Sequence, residues 1–402
     1  MKKKSVGLWA AVGVALIPAM ALADAAPAAP AAPAGPSLSD VLVNSGITVA
    51  GYASASYNAT FNSTSGATVG QVPLHQFDTN SNTFELNQAA LTVSYLPTSG
   101  FGAMVNLIAG EDAKIINQAY SGGSSPSGSD FALTQGYLQY AVGNLTVIGG
   151  RFVTLAGEEV IDDSKNANVS RSLLFTNLEP LVHTGVRASY KFSDLITGIV
   201  GLNNSAITGA SADTDKHKTV ELGAAITPSS TISLALADYY SLDGGTGSGT
   251  TAVPNTKTNY LDAVASWQAT TALLLAANFD YVHAATSGAG TGNKEGVALY
   301  GTYQINDSWK GSLRGEYARL KPAGAIDPST GLPGNDADVM ELTATVDYSA
   351  AKNFDVLGEL REDYGTALYF PSGNNTTFGA QKSQGEVLVK AIYKFGTPVP
   401  SS

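Results

Sequence analysis

The chain has 402 residues, 22 Lys and Arg against 33 Asp and Glu, a net charge of −11 and no cysteine. That length is more than enough for one large domain. The acid excess argues against nucleic acid as a partner, which calls for basic patches, and without cysteine no disulfide framework is available.

In chain order, Lys2, Lys3 and Lys4 precede an apolar stretch from Val6 to Met20, and Ala21-Leu22-Ala23 forms a small-x-small site. This predicts a secretory signal peptide over residues 1–23, with the mature chain starting near Asp24. No other stretch offers the roughly 18 apolar residues that a helical membrane span needs. Residues 24–46 open with Asp24 to Pro36, where proline recurs every third residue. That composition predicts an extended, semi-rigid periplasmic linker. Leu38, Val41 and Leu42 then follow at helical spacing, with Ser37 and Asp40 placed as a capping box for a short helix.

Residues 47–395 repeat one unit: about ten residues alternating apolar and polar, a tight turn, a second such run, then a long Gly/Ser/Thr/Asn-rich connection. Sixteen runs are counted. The tight turns fall at Pro97–Gly100, Gly143-Asn144, Ser193-Asp194, Thr227–Ser230, Ala269–Thr271, Asn306–Ser308 and Ser349–Asn353. Long connections fall at Asn62–Asn82, Glu111–Asp130, Val153–Val182, Asn204–His217, Asp243–Thr256, Ala284–Asn293, Lys321–Ala337 and Gly365–Ser383. Short turns alternating with long loops predict an all-β, antiparallel up-and-down barrel of about sixteen strands that spans an outer membrane.

Strict alternation means two faces in two solvents. In Trp309–Tyr317 the odd positions are Trp309, Gly311, Leu313, Gly315 and Tyr317, while Lys310, Ser312, Arg314 and Glu316 oppose them. Aromatic residues gather beside the tight turns: Tyr95, Phe101, Tyr140, Tyr190, Phe192, Trp267, Tyr303, Trp309, Tyr348 and Phe354. Amphipathic rings favour the headgroup level, so these residues predict a periplasmic girdle. A soluble sandwich explains the alternation but not that girdle, and it uses shorter strands. The last run sets Val387, Val389, Ala391, Tyr393 and Phe395 on one face, and residues 396–402 form a C-terminal tail.

These residues resemble the OmpL-like group of Gram-negative outer-membrane β-barrel porins. The likeness is densest from Phe84 to Tyr190. It includes Phe84-Glu85-Leu86-Asn87-Gln88, Leu133-Thr134-Gln135, Tyr137-Leu138-Gln139-Tyr140, Gly150-Arg151-Phe152, Leu155-Ala156-Gly157-Glu158, Ser170-Arg171-Ser172, Glu179-Pro180 and His183-Thr184-Gly185-Val186-Arg187. The resemblance implies a pore in the outer membrane of a Gram-negative bacterium, surrounded by lipid and lipopolysaccharide, which passes small hydrophilic solutes and ions. It implies no cofactor. The ending Tyr393-x-Phe395 resembles the signal read by the barrel-assembly machinery, except that the tail follows it.

Selectivity in such a pore comes from diameter and from charge at the narrowest point. The longest connection, Val153–Val182, follows the fifth run, and in general porins the loop at that place folds inward. By this analogy Glu158, Glu159, Asp162 and Asp163 are expected to form an acidic constriction face, with Arg151, Arg171, Arg187, Arg314 and Arg361 opposing it. A salt-bridge lattice that stiffens the wall would use the same residues. The acid excess suggests a mild cation preference. Sixteen-stranded porins are commonly trimers, and Gly51, Ala53 and Ala55 offer a flat outer face for a homotrimer.

An enzyme in a barrel would need a nucleophile and base close together. His75, His183, His217 and His283 are isolated in sequence, outside any dyad or metal-ligand pattern. Alternating carboxylates at Asp213 and Asp215, and at Asp336 and Asp338, read as solvated loop groups. No catalytic or metal residue is therefore expected. The alternative function is a non-conducting barrel acting as an adhesin or plugged receptor, which sixteen strands disfavour because wall side chains cannot fill so wide a lumen.

Overall fold

A computed structural model describes residues 42, 44–61, 74–120, 129–206, 217–243, 256–286, 290–321, 337–366 and 382–396. Sixteen antiparallel strands form one closed barrel. They are β1 (Thr48–Thr60), β2 (Thr83–Tyr95), β3 (Gly100–Ala109), β4 (Phe131–Val142), β5 (Leu145–Val153), β6 (Val182–Lys191), β7 (Ile196–Asn203) and β8 (Thr219–Ser229). The second half continues with β9 (Ile232–Asp243), β10 (Thr256–Gln268), β11 (Leu273–Thr286), β12 (Gly290–Gln304), β13 (Trp309–Lys321), β14 (Ala337–Ala351), β15 (Phe354–Gly365) and β16 (Ser383–Gly396). Each strand pairs with its chain neighbours, and β1 closes on β16 with Ala53 opposite Tyr393 and Thr60 opposite Glu386. Closure leaves no free sheet edge, the condition for a sheet to span hydrocarbon.

The alternation sorts the faces as the sequence predicts. On β13, Ser312, Arg314, Glu316 and Ala318 are buried while Leu313 is exposed. On β14, Glu341, Thr343, Thr345 and Asp347 are buried while Met340, Leu342, Val346 and Tyr348 are exposed. A soluble barrel would show the reverse, so the outer face is built for an apolar solvent. Nine of the ten girdle residues are strongly exposed, and Phe354 is half-buried. Several rings pack in cross-strand pairs, with centroids 4.9 Å apart for Phe101–Tyr140 and 4.6 Å for Trp309–Tyr348. Tyr393 and Phe395 extend the same outward series on β16.

Two connections differ from the sequence reading. Residues 284–293, expected as a long connection, are mostly ladder, with Ala284 opposite Gly292 and Thr286 opposite Gly290. Their Gly/Thr content mimics a loop, but no proline interrupts the hydrogen bonding, so the hairpin continues beyond the apolar band. The connection after β3 opens with a helix, α1 (Glu111–Tyr120), whose Ala113 and Ile116 are fully buried. Residues 1–23, the Ala/Pro spacer, Asp213, Asp215, Asp336 and the tail from 397 onward lie outside the described residues. Of the short helix expected near 37–44, Leu42, Asn44 and Ser45 are described, and they are helical.

Candidate functional site: the connection between β5 and β6

Residues 154–181 join β5 to β6 and carry a 3-10 turn (Asp163–Lys165) and a short helix, α2 (Leu173–Asn177). Gly157 sets the entry turn at φ +89°, and a Cβ there would collide with the Glu179 carboxylate. The positive φ is what favours glycine at this position.

Backbone groups along the segment meet polar side chains on the inner wall. Leu155 N–H donates to the Tyr239 hydroxyl on β9 (2.9 Å), Gly157 N–H to Asp262 on β10 (3.0 Å) and Glu158 N–H to Asn278 on β11 (2.8 Å). Val169 and Ser170 N–H both donate to Glu359 on β15, at 2.6 and 2.8 Å. The Leu173 and Leu174 N–H groups donate to the two oxygens of Glu316 on β13, while the Ser172 hydroxyl accepts from Phe175 N–H. Together these satisfy the orphan donors at the start of α2. Lys294 on β12 donates to the Asn177 carbonyl at the far end of α2, and Asn168 donates to Thr345 on β14. Gln88 on β2 donates to the Ile161 carbonyl, and Ser54 on β1 to Asp163. With Lys390 on β16, ten of the sixteen strands hold the segment through described residues.

The charged residues singled out in the sequence fall into separate groups. Glu159 and Arg314 meet at 2.6 Å, and Arg314 also pairs with Glu316 and Glu341, both at 3.0 Å. Its Nη1 also donates to the Ser170 carbonyl (2.8 Å). Asp163 pairs with Arg171 (2.8 Å) and Lys390 (2.9 Å). Burial alone would raise the Asp163 carboxyl, but Lys390 and Arg171 outweigh it and hold its pKa at about 2. Arg361 binds Asp363 and donates to the Arg171 carbonyl. Arg187 pairs with Glu221 on β8 and lies over the Phe152 ring. Asp162 accepts from Ser164 N–H as the cap of the 3-10 turn, and pairs with the exposed Lys165. Arg151 sits opposite Thr184 in the β5–β6 ladder, on the other face from the Phe152–His183 pair.

Glu158 differs from its neighbours. No ion pair reaches it among the described residues, and it lines a cavity of about 250 Å³ with Glu159, Asn166, Tyr300 and Lys310. Burial, with Glu159 and Asp262 adding to it against a bond from Ser266, raises its pKa to about 6. Glu179 lies deeper still, and both its oxygens lack hydrogen-bond partners. Burial, then Asp280 and Asp262, push its carboxyl well above the usual range.

Two further features were not legible in the sequence. Apolar side chains form a core inside the barrel, where Phe77, Ile116, Ile161 and Phe175 meet Tyr52, Leu388 and Ile392 of the wall. His75, isolated in sequence, lies 2.5 Å from Asp78 and 2.8 Å from Asp363. Burial and Arg361 lower its pKa, but Asp78 and Asp363 outweigh them and hold it at about 10.

A closed barrel with an apolar outer face, an aromatic girdle and a charged interior is an outer-membrane protein of the porin type. The chain belongs to the family described as Putative beta-barrel porin-2, OmpL-like, whose model matches residues 46–395. The fold is similar to the anion-selective porin of Comamonas acidovorans, at 12% identity and TM-score 0.56, covering 87% of this chain and 99% of that one. It is also similar to OmpT of Vibrio cholerae in its trimer form (14% identity, TM-score 0.57, coverage 87% and 99%). The outer membrane channel DcaP of Acinetobacter baumannii shares 14% identity at TM-score 0.55, with coverage of 87% and 97%. No curated protein matches the chain. Family and fold are those of porin-type outer-membrane barrels.

Proposed function

We propose that the protein is a porin for passive diffusion of small hydrophilic solutes and ions, narrowed by the segment 154–181. The observation that carries this reading is the set of hydrogen bonds from that segment, which joins β5 to β6, to a continuous arc of ten strands running from β9 through β16 and β1 to β2. Glu158 is the acid that sets ion preference. Glu159 and Asp163 face buried cations and contribute little net field. The signal peptide delivers the chain to the periplasm, and Tyr393 and Phe395 mark the closing strand for assembly.

Single-channel recording of the refolded mature protein in a planar bilayer under a salt gradient tests this. Discrete open steps with a cation-selective reversal potential are expected. A second reading, a plugged receptor or adhesin, draws support from the apolar core inside the barrel. A folded barrel that never conducts would select that reading.

The outer face of β1 carries Gly51, Ala53, Ala55, Tyr57 and Ala59; the Phe395 ring lies against Gly51, which leaves Ala53 and Ala55 as the small positions where a second wall can approach. With the trimer form of the Vibrio cholerae relative, this supports a homotrimer. Mass measurement in detergent would show three copies, and Ala55→Trp would release monomers.

A further inference from the structure

Among the described residues, one group of His, Asp and Glu side chains converges closely enough to hold a metal ion: His75, Asp78 and Glu386, all buried, with one ligand atom each within 4.8 Å of the others. Asp78 and His75 come from the connection between β1 and β2, and Glu386 stands on β16.

The imidazole is oriented from behind. Its Nε2 lies 2.8 Å from Asp363, and Asp363 is in turn gripped by Arg361 through Nε at 3.1 Å and Nη2 at 2.9 Å. A carboxylate so held accepts the Nε2 proton and leaves Nδ1 as the donor atom, the second-shell arrangement of metal-binding histidines. Nδ1 faces Asp78 at 2.5 Å and Glu386 at 3.4 Å. The opposite edge of the cluster is unsatisfied: both oxygens of Glu386 and Oδ1 of Asp78 are buried without a hydrogen-bond donor. Buried carboxylate oxygens seldom stay unpartnered. A metal ion at Nδ1 takes the place of the imidazole proton and leaves His75 neutral, so that three carboxylates face the single guanidinium of Arg361, an excess of two negative charges for the ion to meet.

We infer that His75, Asp78 and Glu386 form a site for a divalent transition-metal ion such as Zn²⁺, with Asp363 positioning the histidine. One divalent cation cancels the excess charge and fills the donor vacancies of Asp78 and Glu386. An imidazole among carboxylates suits Zn²⁺ better than the all-oxygen preference of Ca²⁺ or Mg²⁺. Metal–ligand bonds of about 2.0–2.2 Å place neighbouring donors about 3–3.5 Å apart, so Asp78 swings outward by a fraction of an ångström. The bound ion ties the connection between β1 and β2 to the wall at β16. It does so nearer the long-loop end than Lys390, which anchors the segment 154–181. This site is independent of whether that segment narrows a pore.

The test is calorimetric titration of the refolded, chelator-treated full-length mature barrel in detergent with Zn²⁺, and separately with Ca²⁺. One saturable Zn²⁺ equivalent and much weaker Ca²⁺ binding are expected. The near-isosteric E386Q and D78N, and H75A, should each weaken Zn²⁺ at least about tenfold, and D363N by about 10–100-fold. D355N, at the short-turn end of β15, should leave binding unchanged. Heat-modifiable migration shows that each variant is folded, and Co²⁺ absorption bands that vanish in H75A give a second readout of nitrogen ligation. Absence of Zn²⁺ binding, Ca²⁺ binding as tight as Zn²⁺, or Zn²⁺ binding unchanged in both H75A and E386Q would overturn the site.

Discussion

Two buried carboxylate clusters hold the segment 154–181, and they are built on opposite electrostatic terms. Around Arg314, the acids Glu159, Glu316 and Glu341 share one guanidinium that also hydrogen-bonds the segment at Ser170. Around Glu179, the acids Asp262 and Asp280 lie in register on β10 and β11, with Tyr260 and Asn278 as donors. No cation pairs with that second group among the described residues. Buried charge is tolerated when paired and is otherwise relieved by holding a proton. The first cluster therefore acts as an ionic clamp, whereas the second favours the protonated form of Glu179.

The largest way to break this contrast is Arg314→Met. It leaves buried acids without their cation, and breaking such a pair costs about 3–5 kcal/mol. The denaturant midpoint in micelles should fall accordingly, and the freed segment should become protease-sensitive. Next comes Glu359→Gln, whose single amide oxygen can accept from one of the Val169 and Ser170 amides and not the other. One unsatisfied buried donor costs about 1–3 kcal/mol, so stability should fall by less than with Arg314→Met. Equal losses from the two variants would deny Arg314 its central role.

Glu179→Gln sharpens the contrast through pH. A carboxyl whose folded pKa is raised binds its proton more tightly in the native state, so the native protein is favoured at low pH. It loses that advantage as pH rises from the unfolded value near 4.5 toward the folded one. The wild-type unfolding midpoint should drop from pH 4.5 to pH 8 more than that of Glu179→Gln. A parallel drop in both would place the protons elsewhere.

The smallest change is Glu158→Gln, expected to leave stability nearly unaltered. With its pKa near 6, Glu158 is negative above that pH and neutral below it. Cation preference should therefore fall as pH drops through about 6 in the wild type and be flat in the variant. Reversal potentials at pH 5 and pH 8 measure it.

The barrel is written in local patterns of the chain. Alternation along β13 to β16 fixed which face meets lipid, and aromatic residues at the tight turns marked one membrane interface. Both are local signals, because a strand's two-residue period reports its two solvents directly. Helix α1 is hidden in the sequence because its ten residues lie inside a long connection, too short a window for Ala113 and Ile116 to mark a helical face. Tertiary structure alone decided the interior. Glu159 and Arg314 are far apart along the chain, and so are His75 and Glu386, yet each pair converges because the barrel closes and connections turn into it. Arg151 and Arg187, both expected at the constriction, take opposite faces of the wall through strand register. No short-range periodicity encodes which distant partner will share a buried site, because that partner is supplied by ring closure rather than by neighbours in the chain.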